Sequence, residues 1–217
     1  MKHIISKSCA DAQAYIVPFR AGSPRSVSIT LEIDAAIDLA INGSFGGNLG
    51  ETYAMTLPVG DKLTSIILLG LGADRLSVRD IHTKAAQAFK QAKQLGAKHV
   101  AIMLDQVSEL SESAELFGAL ARLPQLVGYT NSGLKSNPEN KSFEQVAFVT
   151  AADGLDAALS EAVATARGTI IARRLCNLRS NEQTPQSLAA DTVALGKEYG
   201  FDVQLFDKAA IEELGME

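Results

Sequence analysis

The sequence predicts an α/β fold: a mixed, mostly parallel sheet flanked by helices, followed by a long connecting helix. Three observations predict it. Ser65-Ile66-Ile67-Leu68-Leu69 is a continuous apolar run, the pattern of a central strand covered on both faces. Residues 65–104 then read strand, helix, strand, which is a βαβ unit with a parallel pair and a right-handed crossover. From Gly154 onward the texture turns Ala-rich, with apolar residues at helical spacing.

The elements follow in order. Val27 to Ile33 alternates apolar and polar residues and predicts a half-buried strand. Asp34 to Leu39 predicts a short helical turn. Asn42 to Gly50 holds Gly43, Gly46, Gly47 and Gly50 and predicts a loop, read as a flexible connector. Glu51 to Leu57 predicts a strand, and Pro58-Val59-Gly60-Asp61 a turn. The strand at 65–69 ends in Gly70-Leu71-Gly72. Ser77 with Asp80 three residues on reads as a helix N-cap. Ile81, Ala85, Ala88, Phe89, Ala92 and Leu95 then form one apolar stripe, and Gly96 supplies the stop.

His99 to Leu104 predicts the next strand. Residues 111–123 predict a helix with Leu116, Phe117, Leu120 and Leu123 on its apolar side, continuing past Pro124 toward Tyr129. Asn131 to Asn140 predicts an exposed loop, and Phe143 to Thr150 a strand. Leu155 to Asn177 predicts a helix of about 30 Å. Thr184-Pro185 is an N-cap with proline at the first helical position; that helix runs to Tyr199 and stops at Gly200. Phe201 to Phe206 predicts a strand, and Asp207 caps a short helix through Leu214. The organisation is therefore residues 1–150 as an α/β domain, 151–176 as a connecting helix, and 177–217 as the opening of a second domain.

Hydrophobic residues make up 47% of the 217 residues and charged residues 21%. That is enough apolar material for a core, and it excludes a disordered polyelectrolyte. With no Trp and 6% aromatics, aliphatic residues and Ala must build it. Residues 1–150 carry 14 basic and 14 acidic side chains, and 151–217 carry 6 and 11, so the net −5 sits entirely in the second part. Neither part has the basic run that neutralises phosphates, so charge does not suggest nucleic-acid binding. The N-terminus Met1-Lys2-His3-Ile4-Ile5-Ser6-Lys7 lacks an apolar signal core. No run approaches a membrane span, and the chain reads as cytoplasmic.

Tests for chemistry find no catalytic, cofactor-binding or metal-ligating residue. Cys9 and Cys176 are too few for a disulfide framework and read as buried or half-buried thiols. His3, His82 and His99 lack metal-ligand spacing and read as surface or turn residues. Gly70-Leu71-Gly72 follows a strand, but Arg75 fills the third glycine position of a dinucleotide fingerprint, and Asp74 adds charge repulsive to a pyrophosphate. The segment reads as a tight strand-to-helix turn. There is no Gly-x-Ser-x-Gly elbow and no Walker A loop. Glu109/Glu112/Glu115 and Glu212-Glu213 read as solvated helix faces.

The segment Ala172-Arg173-Arg174-Leu175-Cys176-Asn177-Leu178-Arg179-Ser180-Asn181-Glu182-Gln183-Thr184-Pro185 resembles the start of the catalytic domain in the leucyl (cytosol) aminopeptidase family. That family reads Ala-Arg-Asp-Leu-x-Asn-x-Pro-x-Asn-x-x-Thr-Pro. Asn177, Asn181 and Thr184-Pro185 match; Arg174 stands where an acid is usual and Arg179 where proline is usual. Leu49-Gly50-Glu51, Leu69-Gly70-Leu71-Gly72 and Leu95-Gly96-Ala97-Lys98 are similar to the family's N-terminal domain.

The resemblance implies a metal-dependent aminopeptidase that removes N-terminal residues from peptides, assembled as a homo-hexamer. It implies two divalent metal ions, manganese or zinc, held by Gly-Lys-Gly-x-Thr-Phe-Asp-Ser-Gly-Gly and Asn-Thr-Asp-Ala-Glu-Gly-Arg signatures. Neither signature occurs here, and both are expected beyond Glu217, so this chain is expected to be inactive, with a structural or assembly role. The resemblance also implies a macrodomain-like N-terminal fold. The alternative function is therefore a nucleotide or ADP-ribose binding module using Gly70-Leu71-Gly72 and the Gly43–Gly50 loop.

Overall fold

The computed structural model describes residues 1–8, 11–131 and 142–216. They divide into two compact units, Met1–Ile170 and Ile171–Glu217. In the first, six strands form one sheet in the order β1-β6-β5-β2-β4-β3. They are β1 (Lys2–Ser6), β2 (Ala14–Phe19), β3 (Thr52–Val59), β4 (Lys62–Gly70), β5 (His99–Met103) and β6 (Gln145–Val149). All neighbouring pairs are parallel except β3 with β4. The mixed, mostly parallel α/β sheet is therefore the fold that the apolar runs predict.

Two strands had no counterpart in the sequence reading, β1 and β2. All six residues of β2 are buried, yet Pro18 interrupts the run. Phe19 O accepts from Leu71 N, so Phe19 faces β4 and Pro18 faces the β5 side. Pairing with β5 ends at Ile16, so the absent N–H of Pro18 costs no ladder bond.

The strand expected over 27–33 is not a strand. Helix α1 spans Leu31–Gly43, capped by Thr30, whose Oγ1 accepts from Ile33 N. It replaces the short turn expected over Asp34–Leu39. The residues before it join no strand, and Thr30 itself is extended. Val27 and Ile29 do pack against the core, which is why the sequence alternates; the segment's polar groups bond to side chains instead of a strand. Gln106 Oε1 accepts from Ser26 N at 2.7 Å and Val27 N at 3.1 Å, and its amide donates to Pro24 O at 2.9 Å. Arg25 grips Asp38 through two 2.9 Å bonds and lies 3.3 Å from Asp34. Asp34 in turn accepts from Ser28 Oγ and Ile29 N.

The helical stretch after β4 begins with the Ser77–Asp80 capping box and α2 (Val78–Asp80). It continues through a π-helical turn (Ile81–Ala85) into α3 (Ala86–Gln94). Helix α4 (Glu109–Glu112) breaks at Ser113, which caps α5 (Ala114–Gly128); α5 includes Pro124 and continues past it. The loop expected over 131–140 lies, from residue 132 on, outside the described residues. Helix α6 (Asp156–Cys176) begins in the first unit and contributes Ala162 to its core.

The sheet separates two apolar layers. One side holds Ile67, Leu69, Phe89, Phe117, Phe148 and neighbours beneath α3, α5 and α6. The other holds Val17, Phe19, Ile33, Ile37, Ile66 and Leu68 beneath α1. Three edge-to-face ring pairs sit in these layers: Phe19–Phe45, Phe89–Phe143 and Phe117–Phe148.

The second unit holds the end of α6, α7 (Pro185–Tyr199) and α8 (Lys208–Glu213). Thr184 and Ser187 form a reciprocal cap on α7, and Gly200 ends it at φ +76°, a conformation that favours glycine. Phe201–Phe206 forms no regular element and pairs with no strand among the described residues, which corrects the strand expected there.

Candidate functional site

In a parallel α/β sheet, ligands bind beyond the carboxyl ends of the strands. Here that edge carries Arg20 after β2, Gly70-Leu71-Gly72 after β4, Asp105-Gln106 after β5 and Thr150 after β6. Each of these groups has a partner within the chain.

The Gly70–Gly72 turn donates all three of its N–H groups internally. Gly70 N reaches Glu51 O at 2.7 Å, Leu71 N reaches Phe19 O at 2.8 Å and Gly72 N reaches Gly47 O at 3.0 Å. The approach is close because Gly70 has no side chain: a Cβ there would lie 2.1 Å from Asn48 O. The space over this turn, where a pyrophosphate would sit, is filled by the 47–49 backbone.

The glycine loop itself is folded around an anion from its own chain. The Glu51 carboxylate accepts from Gly46 N at 3.0 Å, Asn48 N at 2.9 Å and the Asn48 amide at 3.1 Å. Successive N–H groups converging on one point make an anion-binding concavity, and Glu51 occupies it. Burial pushes the Glu51 carboxyl up, but the N–H groups of Gly46 and Asn48, the Asn48 amide and Gly47 N–H outweigh it. Its pKa therefore lies below the ordinary carboxylate range.

Arg20 closes the other flank. Its guanidinium donates to Leu71 O at 3.1 Å, Ala73 O at 3.0 Å and Asp74 O at 2.6 Å, and lies 3.4 Å from Glu109. Asp105 accepts from Thr150 Oγ1 at 2.5 Å and Ala151 N at 2.7 Å. The sequence reading missed Arg20, Glu51, Asp105 and Gln106. A signal existed: each stands within a few residues of a strand end, where polar side chains are available to the sheet edge.

The remaining candidates are scattered. His3 lies half-buried in β1, and burial, then the chain's amino terminus, lowers its pKa. His82 sits in the π-helical turn, lowered by burial and then by Arg122. His99 opens β5, 3.7 Å from Glu144. Cys176 is exposed at the end of α6, which corrects the buried or half-buried thiol expected there; Cys9 lies outside the described residues. Glu109 pairs with Arg20 and Glu212 with Lys208 at 3.7 Å. Among the described residues no group of three or more His, Cys, Asp or Glu side chains could hold a metal ion. Among the described residues no helix is long and apolar enough to cross a membrane. Arg179, in place of the usual proline, lends its carbonyl to Glu182 N and Gln183 N in the turn before Thr184.

Comparison with known proteins assigns this architecture. Residues 31–138 match the profile of the cytosol aminopeptidase family, N-terminal domain. The chain is 28% identical over 230 aligned positions to a probable cytosol aminopeptidase of Clostridium perfringens, covering 99% of this chain and 45% of the relative. It is 29% identical to one of Alkalilimnicola ehrlichii, covering 100% and 47%. The chain thus spans about half the length of these curated relatives. Among solved structures, a mutant of tomato leucine aminopeptidase superposes with a TM-score of 0.78 at 18% identity, covering 99% of this chain and 46% of that one. The bottromycin maturation enzyme BotP superposes with a TM-score of 0.71 at 20% identity, covering 94% and 41%. These two likenesses concern the fold.

Proposed function

Since the chain belongs to the cytosol aminopeptidase family through its N-terminal domain, we propose that it forms the N-terminal part of a cytoplasmic, metal-dependent aminopeptidase. The observation that carries this reading is the family match over residues 31–138, extended by relatives that align along the whole chain. The whole protein would remove N-terminal amino acids from peptides, with two divalent ions, manganese or zinc, and would assemble as a homo-hexamer.

On this reading the two-metal centre belongs to the remainder of the whole protein. Hard divalent ions need several convergent carboxylates, and among the described residues no group of three or more His, Cys, Asp or Glu side chains could hold one. The strand ends of the first unit are occupied by Glu51, Arg20, Asp105 and Gln106 bonding to its own backbone. In this reading residues 1–150 would serve a structural or assembly role, followed by the connecting helix and, from residue 177, the opening of the catalytic domain. Arg174 is exposed at the end of α6.

An assay on an aminoacyl-anilide with Mn²⁺ or Zn²⁺ tests the reading. The 217-residue chain is expected to give no turnover, and a protein extended to the length of its relatives is expected to give chelator-sensitive turnover. Robust turnover by the 217-residue chain would overturn the assignment of the chemistry elsewhere; none from the extended protein would overturn the activity itself.

A further inference from the structure

Phe201–Phe206 has the composition of a strand: Phe201, Val203 and Leu205 alternate with Asp202 and Gln204, and Phe206 follows. Helix α7 supports it from one side. A Cβ at Gly196 would lie 2.6 Å from Val203 Cγ2 and 2.7 Å from Phe201 O, so the missing side chain lets the segment lie directly on the helix. Val203 is half-buried, whereas Phe201, Leu205 and Phe206 are each about half exposed.

The backbone of this segment is unpaired beyond its first residue. Phe201 N donates to Gly196 O at 3.1 Å, and among the described residues no N–H or C=O of 202–206 has a backbone partner. Leu205, Phe206, Ile211 and Met216 line an open groove beside it, between α7 and α8. A strand-forming segment laid on one helix is half of an α/β layer. Its ladder groups need a neighbouring strand, and its apolar side chains need a cover.

We infer that the chain continuing past Glu217 supplies both: a strand that pairs with Phe201–Phe206, and apolar side chains that fill the groove of Leu205, Phe206, Ile211 and Met216. The inference rests on the reading above, in which the whole protein has the length of its aminopeptidase relatives. Two observations name this occupant. The chain matches the family's N-terminal domain and covers only 45% and 47% of two relatives that align along nearly all of it, so on that reading about half of the whole protein follows Glu217. Gly215 and Met216 themselves line the groove, so the continuing chain departs from its wall and closes a short loop at little entropic cost. A separate protein filling the same groove would also lose its translational and rotational freedom, whereas the continuing chain is already tethered there.

Amide hydrogen exchange over residues 202–206 tests this, comparing the 217-residue chain with a protein extended to the length of its relatives. Exchange is expected to be nearly unprotected in the 217-residue chain and at least about a hundredfold slower in the extended protein. Equal exchange in the two proteins overturns the inference. Protection in the 217-residue chain that grows with its concentration places a second copy in the groove and overturns it as well. Turnover of an aminoacyl-anilide, measured on the same extended sample, separates the inference from the reading beneath it. An active protein with unprotected 202–206 overturns the inference alone; an inactive one with protected 202–206 upholds it and overturns the activity. Phe206→Asp gives a second measure. It is expected to lower the thermal midpoint of the extended protein by roughly 5 °C or more and to move that of the 217-residue chain by no more than about 1–2 °C. Equal shifts overturn the inference, and if the extended variant does not fold, exchange on the unaltered proteins decides.

Discussion

The two units differ in how they satisfy their own apolar residues. Unit Met1–Ile170 buries two continuous layers, and its largest side chains (Phe19, Phe89, Phe117, Phe148) are essentially without solvent contact. In unit Ile171–Glu217 the only buried residue among those described is Gly196. There Phe201, Leu205, Phe206, Leu214 and Met216 are each about half exposed, and Pro185, Ala189, Leu205, Phe206, Ile211 and Met216 line an open groove between α7 and α8. Both units have well-made helix caps. Local signals therefore suffice to build helices, whereas a core needs a second layer to bury their apolar faces.

Mutations sharpen that contrast. Phe148→Ala removes one ring of the Phe117–Phe148 pair, whose centroids are 5.3 Å apart, and is expected to cost about 3–5 kcal/mol in urea unfolding. Gly70→Ala forces a methyl against the Asn48 and Gly47 backbone and is expected to cost about 1–3 kcal/mol, read in the same way. Gln106→Leu leaves the N–H groups of Ser26 and Val27 without their acceptor. Its expected cost is about 1–2 kcal/mol, with faster amide exchange confined to residues 24–30 as the local signature.

Glu51→Gln tests the loop through pH. The folded-state pKa of Glu51 is lowered, so the ionised carboxylate stabilises the fold above its unfolded pKa of about 4.3. That stability fades as pH falls through the lower folded value. The wild type is expected to exceed the variant by about 0.5–1.5 kcal/mol at neutral pH, with the gap closing below roughly pH 4. An unchanging gap across that range would place the effect in packing. At the small end, Leu205→Ala in the second unit is expected to change stability by no more than about 0.5 kcal/mol. A large loss there, by thermal melt, would break the contrast between the units.

The legible parts of the fold were those with a local cause. The capping boxes at Ser77 and Thr184, the glycine stops at Gly96 and Gly200, and the apolar run of β4 each act within a few residues. The illegible parts depend on distant partners. Val27–Ile33 alternates like a strand, but its groups bond to side chains instead of a neighbouring strand: Val27 N to Gln106 some 80 positions away and Ile29 N to Asp34 in the following helix. The helix of α1 was still signalled by Thr30 before Glu32 and Asp34, and by Ile33, Ile37 and Ala40 on one face. β2 was hidden by Pro18, harmless only because β5 pairs no further than Ile16. Phe201–Phe206 has strand composition, but composition cannot supply a neighbouring strand. At the strand ends, the family's N-terminal domain was legible from short glycine motifs. The self-bonding of Arg20 and Gln106 was not, because no spacing rule relates a side chain to a backbone loop some 50 to 80 positions along the chain; Glu51 bonds only three to five residues back, inside a loop that the sequence presents as a flexible connector.

The carboxylate of Glu51 in its loop has a thermodynamic consequence. A domain that binds a free anion gains stability by mass action, as the logarithm of ligand concentration over dissociation constant. This domain carries its anion covalently attached, three residues from Asn48, whose N–H it accepts. The local concentration is set by chain geometry alone and is the same at every metabolite level. The loop therefore needs no phosphate or nucleotide from outside to hold its shape, and its stability contribution is expected to stay flat when they are added.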